Sequence, residues 1–206
     1  MDNRNENDSG TGNRLTFFLL LFVFCIPVLG AWWLLNFSDV VEEGNKSNHG
    51  DLIMPPRPLP DLVLNDPLTE AREGKLYGKW SLFYITKDGC DAPCLENLYR
   101  MRQVRLATGK HDHRVQRVLM VLTGNDKGLK EQFKEYAGQW VVDVEGLDVK
   151  RLLENFRFLE NEQPAEKNRL YIVDPLGNLM MRYSPDADPI GIIEDLKHLL
   201  NASLIG

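Results

Sequence analysis

Two cysteines, Cys90 and Cys94, lie close together in a polar turn, and their type and spacing could support redox or metal chemistry. Two cysteines separated by three residues cannot form a disulfide framework for a whole fold. The pair is therefore a redox couple, a metal site or a coincidence. The third cysteine, Cys25, lies inside an apolar run and is typical of a small buried hydrophobic residue. The chemistry of the chain therefore centres on the first two.

The elements around the pair favour a chemical role. Lys79–Thr86 is aromatic and β-branched, which predicts a strand that ends just before Cys90. From Leu95 the apolar spacing predicts a helix that ends near Gly109. A helix N-terminus offers unpaired N–H groups and a partial positive charge. A thiolate there is stabilised and becomes a nucleophile or a metal ligand at neutral pH.

The residues next to the pair also influence whether the two sulfur atoms can come within disulfide-bonding distance. Pro93 fits a first helical turn, where its missing N–H costs nothing. If Cys94 enters that turn, the sulfurs can approach to disulfide distance. Asp88 and Asp91 should oppose thiolate formation by like-charge repulsion, which indicates milder thiol acidity than a strongly oxidising site has. The alternatives are a structural disulfide in an exported domain and two unrelated thiols.

The rest of the domain alternates predicted strands and helices. After the first helix, the predicted elements are a strand at Val118–Leu122, a helix at Leu129–Gly138, a strand at Trp140–Val144, a helix at Val149–Phe156, a strand at Leu170–Val173, a hairpin strand at Leu179–Tyr183 and a closing helix at Ile192–Leu200. Such alternation predicts an α/β fold with a layered, partly parallel sheet, to which the final hairpin adds an antiparallel edge.

The N-terminal region predicts a membrane anchor. Residues 1–14 are polar, and residues 15–37 form an uncharged run of 23 residues. A helix of that length crosses a hydrocarbon core of about 30 Å. The alternatives are a signal peptide cleaved near Leu29–Ala31 and a buried core helix, which the lack of any polar face disfavours.

Charge and composition place the domain outside the cytoplasm and assign the segments. Arg4 and Arg14 precede the apolar run, so we predict that residues 1–14 are a cytoplasmic tail and residues 15–37 a single transmembrane helix. Residues 38–60 are rich in proline and predict an extended linker, which leaves residues 61–203 as the domain. We therefore expect a protein of the cell inner membrane with its C-terminal domain in the periplasm or an equivalent exported compartment. The net charge of −6, without a concentrated basic face, argues against a nucleic-acid partner.

Beyond these patterns, the chain resembles the Sco/SenC family, membrane-anchored thioredoxin-fold proteins of cytochrome c oxidase assembly. The resemblance spans about residues 59–200 and rests on Pro60–Asp66, Leu76–Trp80, the Cys90-x3-Cys94 pair and the Leu170–Gly177 hairpin. It implies a thioredoxin-like sheet with flanking helices behind one transmembrane helix. It also implies that the two cysteines bind copper together with a histidine, and that the protein delivers copper to the binuclear site of an oxidase subunit or reduces that site's disulfide.

The sequence departs from the family at the histidine. The family histidine lies five residues before Tyr171, where this chain has Glu166, and the surrounding stretch Ala165–Arg169 contains no histidine. The proline usual after the second cysteine is Leu95 here. Two thiolates could still hold Cu(I), whereas Cu(II) would be harder to hold, so the change favours thiol–disulfide exchange over copper carriage. Pro164 is interpreted as an ordinary loop proline and not as the cis-proline of thioredoxin active sites.

Glu166 itself has three possible roles: a weak replacement ligand, a proton acceptor beside the cysteine pair, or a solvated loop charge. The histidines of the chain do not replace the missing one by position. His111 and His113 follow the first helix, about 24 Å from Cys94 if that helix is continuous. His49 lies in the predicted linker and His198 on the closing helix, and both are interpreted as incidental.

Three functions fit these features. The first is an assembly factor for cytochrome c oxidase that acts on copper or on the cysteines of an oxidase subunit. The second is a general thiol–disulfide oxidoreductase of the exported compartment, and the third is a non-redox interaction module with a structural Cys90–Cys94 disulfide. All three predict the same fold, so the fold cannot separate them. In the redox interpretation, Cys90 attacks a partner disulfide and Cys94 resolves the mixed disulfide.

Overall fold

The computed structural model describes residues 9–37, 48–69, 73–123 and 130–205. The chain divides into two compact units, residues 1–47 and residues 48–206. The described part of the first unit is one helix, α1, at Ser9–Phe37. Its window Thr16–Trp33 has a mean hydropathy of 2.2 and no buried residue, so its length and composition suffice for a membrane span. A signal sequence would meet the same criteria.

The extent of this helix can be compared with the predicted cytoplasmic tail and the predicted transmembrane segment. It covers the whole predicted transmembrane segment, residues 15–37, and its exposed apolar side chains exclude a core helix of the first unit. Residues 9–14, predicted as part of the tail, belong to the same helix, while residues 1–8 lie outside the described residues. Residues 9–14 contain no proline, so the polar segment can continue the helix past the predicted boundary.

The second unit contains one sheet in its described part. Its strands are β1 at Asp51–Pro58, β2 at Val63–Asn65, β3 at Glu73–Lys75, β4 at Trp80–Thr86, β5 at Val115–Val121, β6 at Gln139–Val142, β7 at Leu170–Val173 and β8 at Asn178–Tyr183. Their spatial order is β1-β8-β7-β4-β5-β6-β2-β3. The parallel strands β4, β5 and β6 lie side by side, and β7 pairs with β4 in the antiparallel sense.

Helices cover both faces of this sheet. They are α2 at Ala92–Ala107, α3 at Lys130–Phe133, α4 at Val149–Glu154 and α5 at Pro189–Ala202, with 3-10 turns at Gly109–Arg114 and Pro164–Glu166. On one face, Leu98 of α2 and Leu196 of α5 pack against Leu82 and Tyr84 of β4. On the other face, the ring of Phe156 stacks on Phe83 at 5.3 Å. Every residue of β4 is buried, so the strand that leads to the cysteine pair is held from both sides.

The predicted alternation of strands and helices is therefore confirmed. The structure moves some bounds: β5 begins at Val115, three residues before the prediction, because Gln116 and Arg117 are buried although they are polar. The predicted helix Leu129–Gly138 is helical only over Lys130–Phe133 in its described part, and turns follow to Gly138. Leu129 lies outside the described residues.

The prediction of a linker over residues 38–60 is wrong for its second half. Asp51–Pro58 forms β1, which pairs with β8 at the edge of the sheet. The pairing is irregular between Leu52 and Arg57, where Pro55 and Pro56 lie, and an edge strand tolerates residues that lack an N–H. Residues 38–47 lie outside the described residues. The domain boundary thus moves from residue 61 to Asn48.

The entry to the domain is fixed by a buried carboxylate on α5. Asp195 accepts hydrogen bonds from the backbone N–H of His49 at 2.9 Å, from that of Gly50 at 2.9 Å and from the hydroxyl of Tyr183 at 2.9 Å. The His49 ring lies 2.9 Å from Glu194. The predicted linker histidine is therefore part of the folded domain.

Candidate functional site

The two cysteines meet at the carboxyl end of β4. The turn Lys87–Gly89 leaves this strand, and Cys90 and Cys94 form a disulfide with their Cα atoms 5.1 Å apart. Cys90 is half-buried, whereas Cys94, in the first turn of α2, is fully buried. Cys90 is thus the more exposed residue of the disulfide, and Cys94 is closed off from solvent.

An aspartate caps the helix that carries Cys94. The carboxylate of Asp91 accepts a hydrogen bond from the backbone N–H of Cys94 at 3.1 Å, and Pro93 occupies the first turn. This carboxylate takes one of the N–H groups that would otherwise stabilise a thiolate at the helix N-terminus. Asp88, on the preceding turn, accepts a hydrogen bond from the Thr123 hydroxyl at 2.9 Å. The surroundings of the pair are therefore acidic, as the sequence suggests.

Buried polar side chains lie on the β4 and α2 surfaces next to the pair. The Tyr84 hydroxyl donates to Oδ1 of Asn168 at 2.8 Å. Asn97 donates to the carbonyl of Pro93 at 3.1 Å, and its own Oδ1 finds no hydrogen-bond partner among the described residues. Burial raises the pKa of Tyr84 to about 12, with an opposing effect of Asn97 and a further rise from Asp91. Tyr84 is therefore neutral at physiological pH and acts as a hydrogen-bond donor.

Sequence reasoning missed Asn97 and Asn168, and it treated Tyr84 only as a core residue. Asn97 follows Cys94 by three positions, so a helix places both near the same face. That spacing is a signal the sequence does contain. Asn168 has a positive φ of 49°, and its contact with Tyr84 spans 84 residues, which no local pattern reports.

The loop Phe158–Arg169, which we call the Glu162 loop, leads into β7 beside the end of β4. Glu162 is 4% exposed, accepts the N–H groups of Phe158 at 2.8 Å and Leu159 at 3.1 Å, and forms a short ion pair with Arg169. Burial would raise the pKa of Glu162, but these two N–H groups and Arg169 outweigh it and hold the pKa below its usual range. A buried charge pair with satisfied lone pairs thus fixes this loop.

Glu166 lies in the same loop, at the position where the resemblance implies a histidine. Its side chain is 59% exposed, and the ammonium of Lys87, at the start of the cysteine turn, lies 4.0 Å from its carboxylate. Pro164 opens the short 3-10 turn that carries it. The described backbone has its cis peptide bond at Met54–Pro55, so Pro164 follows a trans bond, as interpreted from the sequence.

The remaining histidines lie away from the cysteines. His111 and His113 belong to the 3-10 turn Gly109–Arg114 beyond the C-terminal end of α2, and His198 lies on α5. Among the described residues, no three His, Cys, Asp or Glu side chains converge into a metal-binding group. The donor set at the pair is therefore two sulfurs, and only when the disulfide is reduced.

A polar cleft adjoins the cysteine turn. It has a volume of about 410 Å³ and lies at the carboxyl ends of β5 and β6, where Thr123, Asp143 and Glu145 line it. Thr123 connects it to the turn through Asp88. A larger cavity of about 560 Å³ lies between Pro58–Pro60 and α4. Within the described part of the chain, no hydrogen bond connects its lining to the cysteine turn, so we assign it no part in the chemistry of the pair.

Comparison with known proteins supports the fold. A family model described as transmembrane-like, thioredoxin-like, C-terminal domain matches residues 80–203. No curated protein matches the chain. Similar solved structures include copper-bound yeast Sco1, which is 17% identical with a TM-score of 0.54 and coverage of 72% of this chain and 96% of that one.

Two further structures are similar to a comparable degree. A SCO1/SenC family lipoprotein from Bacillus anthracis is 16% identical, with a TM-score of 0.53 and coverage of 71% of this chain and 98% of that one. BsSco, a member of the Sco family of cytochrome c oxidase assembly proteins in which a disulfide switch is identified, is 14% identical, with a TM-score of 0.53 and coverage of 72% and 96%. The thioredoxin-like fold and the resemblance to Sco/SenC proteins are thereby confirmed at the level of the fold.

Proposed function

Since the chain belongs to the family of transmembrane-like, thioredoxin-like C-terminal domains, we propose that it is an exported, membrane-anchored protein that reduces a partner disulfide during cytochrome c oxidase assembly. Cys90 and Cys94 carry the electrons. The proposed partner is a cytochrome oxidase subunit with a cysteine pair. The Sco-like fold, including that of an oxidase assembly protein with a disulfide switch, supports this choice of partner class.

One observation carries the proposal: the two residues of the disulfide differ in their exposure to solvent. Cys90 is half-buried and Cys94 is fully buried. A partner can therefore reach Cys90, while only Cys90 is within reach of Cys94. This asymmetry separates the roles of attacking and resolving cysteine, because a mixed disulfide forms at the exposed residue.

The exchange is balanced in two steps. In the reduced protein, the Cys90 thiolate attacks one sulfur of the partner disulfide, which forms the mixed disulfide and releases one partner thiolate. The Cys94 thiolate then attacks Cys90, which restores the Cys90–Cys94 disulfide seen here and releases the second partner thiolate. The partner gains two electrons and this chain loses two. An exported dithiol donor must reduce the chain again before the next turnover.

Copper is a second candidate cargo, and the donor set limits its oxidation state. Two adjacent thiolates suit Cu(I), which accepts low coordination by soft sulfur. The side chain at the expected histidine position is the carboxylate of Glu166, which is exposed and lies near Lys87. A carboxylate is a poor ligand for Cu(I), so we propose Cu(I) held by Cys90 and Cys94 alone, and no stable Cu(II) site.

The membrane anchor gives the proposed location. Helix α1 is long and apolar enough to cross a bilayer. We propose a single pass through the cell inner membrane with the domain on the periplasmic or equivalent exported side, where disulfides persist. There the disulfide form of the pair is the resting state until a donor reduces it.

A trapping experiment with the full chain tests the roles of the cysteines. Cys25→Ser removes the free thiol of α1 and serves as the background. In that background, Cys94→Ser should accumulate a mixed disulfide with a partner in exported membranes, because the resolving thiol is absent. Cys90→Ser is the matched control and should trap nothing. If Cys94 of the reduced protein is alkylated at neutral pH while Cys90 is not, the assigned roles are wrong.

The identity of the trapped species separates the three functions. An assembly factor should trap mainly one oxidase subunit, whereas a general oxidoreductase should trap many proteins. A structural disulfide should trap none, and its reduction potential should lie below about −300 mV. Titration of the reduced chain with Cu(I) and Cu(II) tests the copper proposal, since a tight Cu(II) complex with histidine nitrogen signals would contradict it.

A further inference from the structure

A buried arginine lies at the opposite end of α2 from the disulfide. Arg117 of β5 is only 2% exposed, and its side chain is among the largest that are fully buried in the described chain. Its Nη2 donates to the carbonyl of Ala137 at 2.6 Å and to that of Tyr136 at 3.3 Å. Within the described part of the chain, its Nε and Nη1 have no hydrogen-bond partner. Buried polar atoms without partners are rare in proteins and call for an explanation, one of which is a bound water or ion.

A second arginine borders the same place. A Cβ atom added to Gly138 would lie 3.6 Å from Nη2 of Arg117 and 3.8 Å from Nη1 of Arg105, so the two guanidinium groups border one small space. Arg105 is held there by a hydrogen bond from its Nε to the carbonyl of Asp112 at 3.0 Å. Arg102 precedes Arg105 by three positions, so both lie on the same side of α2. We call Arg102, Arg105 and Arg117 the arginine cluster.

The cluster has no acidic partner within the described part of the chain. The ion pairs found there join other residues, and each of the three arginines lacks one. Burial, with the positive charges of Arg105 and Arg102, lowers the pKa of Arg117 to about 10. Arg117 is thus still charged at neutral pH, in a place where burial and both neighbours disfavour the charge.

A water molecule would satisfy the free N–H groups but would leave the charge of Arg117 uncompensated beside the charges of Arg105 and Arg102. An anion does both, because it accepts hydrogen bonds and neutralises the charge. Guanidinium groups offer parallel N–H donors that match pairs of oxygens on one centre, which favours an oxyanion over a spherical halide. Gln139, the cross-strand neighbour of Arg117, also has a buried Oε1 without a partner. A protonated oxyanion could donate to this oxygen.

We propose that the arginine cluster binds an oxyanion of the phosphate class, either free phosphate or the phosphate of a lipid head group. Oxygens of the ligand accept hydrogen bonds from Arg105 and, once the Arg117 side chain turns out of the closed position seen here, from its Nε and Nη1. Arg102, which is exposed, contributes charge at the mouth of the site. The site is separate from the cysteines, so this proposal does not depend on the proposed redox function.

Titration of the full chain in a neutral detergent tests the site. Inorganic phosphate is added at constant ionic strength in a chloride-free buffer, and binding is measured by calorimetry and by ³¹P line width. We expect saturable binding at one site. Arg105→Gln should weaken it about 10-fold or more, because one charged donor is lost. Arg102→Gln should weaken it about 3-fold through charge alone.

Arg151→Gln, an exposed arginine of α4, is the matched control and should leave phosphate binding unchanged. Arg117→Gln should abolish binding, and its thermal melt shows whether it folds; if it does not fold, Arg105→Gln and Arg102→Gln carry the test. Dihexanoyl phosphatidylglycerol replaces phosphate in a second arm, and tighter binding there would identify a lipid source. Absence of saturable binding in both arms, or equal loss in Arg151→Gln, would overturn the proposal.

Discussion

Two segments flank the carboxyl end of β4, and they are built in opposite ways. The cysteine turn, Lys87–Cys94, keeps its carboxylates Asp88 and Asp91 on the surface and leaves Cys90 partly exposed. The Glu162 loop, Phe158–Arg169, buries its main carboxylate against Arg169 and two backbone N–H groups. The first segment is held by a helix cap, and the second by a buried charge pair.

The difference shows that one segment carries the reactive thiols, whereas the other positions the residues around them. The cysteine turn must open and close a disulfide, and its carboxylates remain exposed to water even though Asp91 also caps α2. The Glu162 loop decides which side chains stand beside the cysteine turn, and it is rigid because an unpaired charge left in its interior would be costly. Tyr84 connects the two, since its hydroxyl binds Asn168 of the loop from the strand that leads to Cys90.

The largest expected effect comes from Glu162→Gln. It leaves the guanidinium of Arg169 without its charge partner and weakens two hydrogen bonds to backbone N–H groups. We expect a loss of about 2–3 kcal/mol in the free energy of unfolding at pH 7, measured by urea denaturation. Glu160→Gln, an exposed neighbour, is the control and should change the free energy by less than about 0.5 kcal/mol.

The effect of Glu162 should depend on pH in a defined direction. The pKa of Glu162 is lowered in the folded state, so its contribution is complete above the unfolded value of about 4.3 and is lost as the pH falls through the folded value. The difference between wild type and Glu162→Gln should therefore shrink below about pH 4. A difference that stays constant from pH 7 to pH 3 would show that the ion pair is not its cause.

The variant Glu166→His tests whether the Glu162 loop faces the cysteine turn. If that loop places residue 166 beside the sulfurs, the imidazole becomes a third ligand, and the reduced chain should bind Cu(II) about 10-fold more tightly or better. Nitrogen hyperfine coupling in electron paramagnetic resonance would identify the ligand. Lys167→His is the matched control on the adjacent position. Equal Cu(II) affinity in both variants would show that the loop does not face the pair.

Tyr84→Phe breaks the link between the two segments. It removes the hydrogen bond to Asn168 and should lower the free energy of unfolding by about 1 kcal/mol. Tyr99→Phe, an exposed tyrosine of α2, is the control. Because the pKa of Tyr84 is raised to about 12, its contribution should be complete below about pH 10 and be lost as the pH rises toward 12. Wild type and Tyr84→Phe should therefore converge in that alkaline range.

The smallest effect is expected from Asp91→Asn in the cysteine turn. Asparagine also caps helices, so stability should change little, while the loss of a negative charge favours the Cys90 thiolate. The alkylation rate of Cys90 at pH 7, measured in the reduced Cys25→Ser chain, should rise about 3-fold to 10-fold. Asp91→Ala should cost about 1 kcal/mol of stability in addition, because it removes the cap. No change in rate with Asp91→Asn would show that this charge does not reach the sulfur.

Much of the fold could be predicted because its signals are local. The apolar runs of β4, β5 and β7 and the amphipathic spacing of α2 and α5 recur within a few residues, and the structure keeps them. β1 could not be predicted, because Pro55 and Pro56 indicate an extended linker unless a neighbouring strand is known. β2 and β3 have three residues each, too few to show a period.

The site divides in the same way. Cys90, Cys94, Asp91 and Pro93 lie within five consecutive positions, so their arrangement at a strand end and helix start follows from local conformational preference. Asn168 and Arg117 became visible as parts of the site and of the arginine cluster only in the structure. Their partners are 84 and 20 residues away along the chain, and only packing brings them together.

By itself, the sequence determined where the thiols lie, that a helix begins at them, and that an apolar segment precedes the domain, since these depend on composition and short-range spacing. The tertiary structure decided which sulfur is exposed, which carboxylate is buried, and where positive charge is left without a partner. The physical reason is that burial is a property of the whole packed domain, so the same aspartate, glutamate or arginine can be a solvated charge or a buried one according to what covers it.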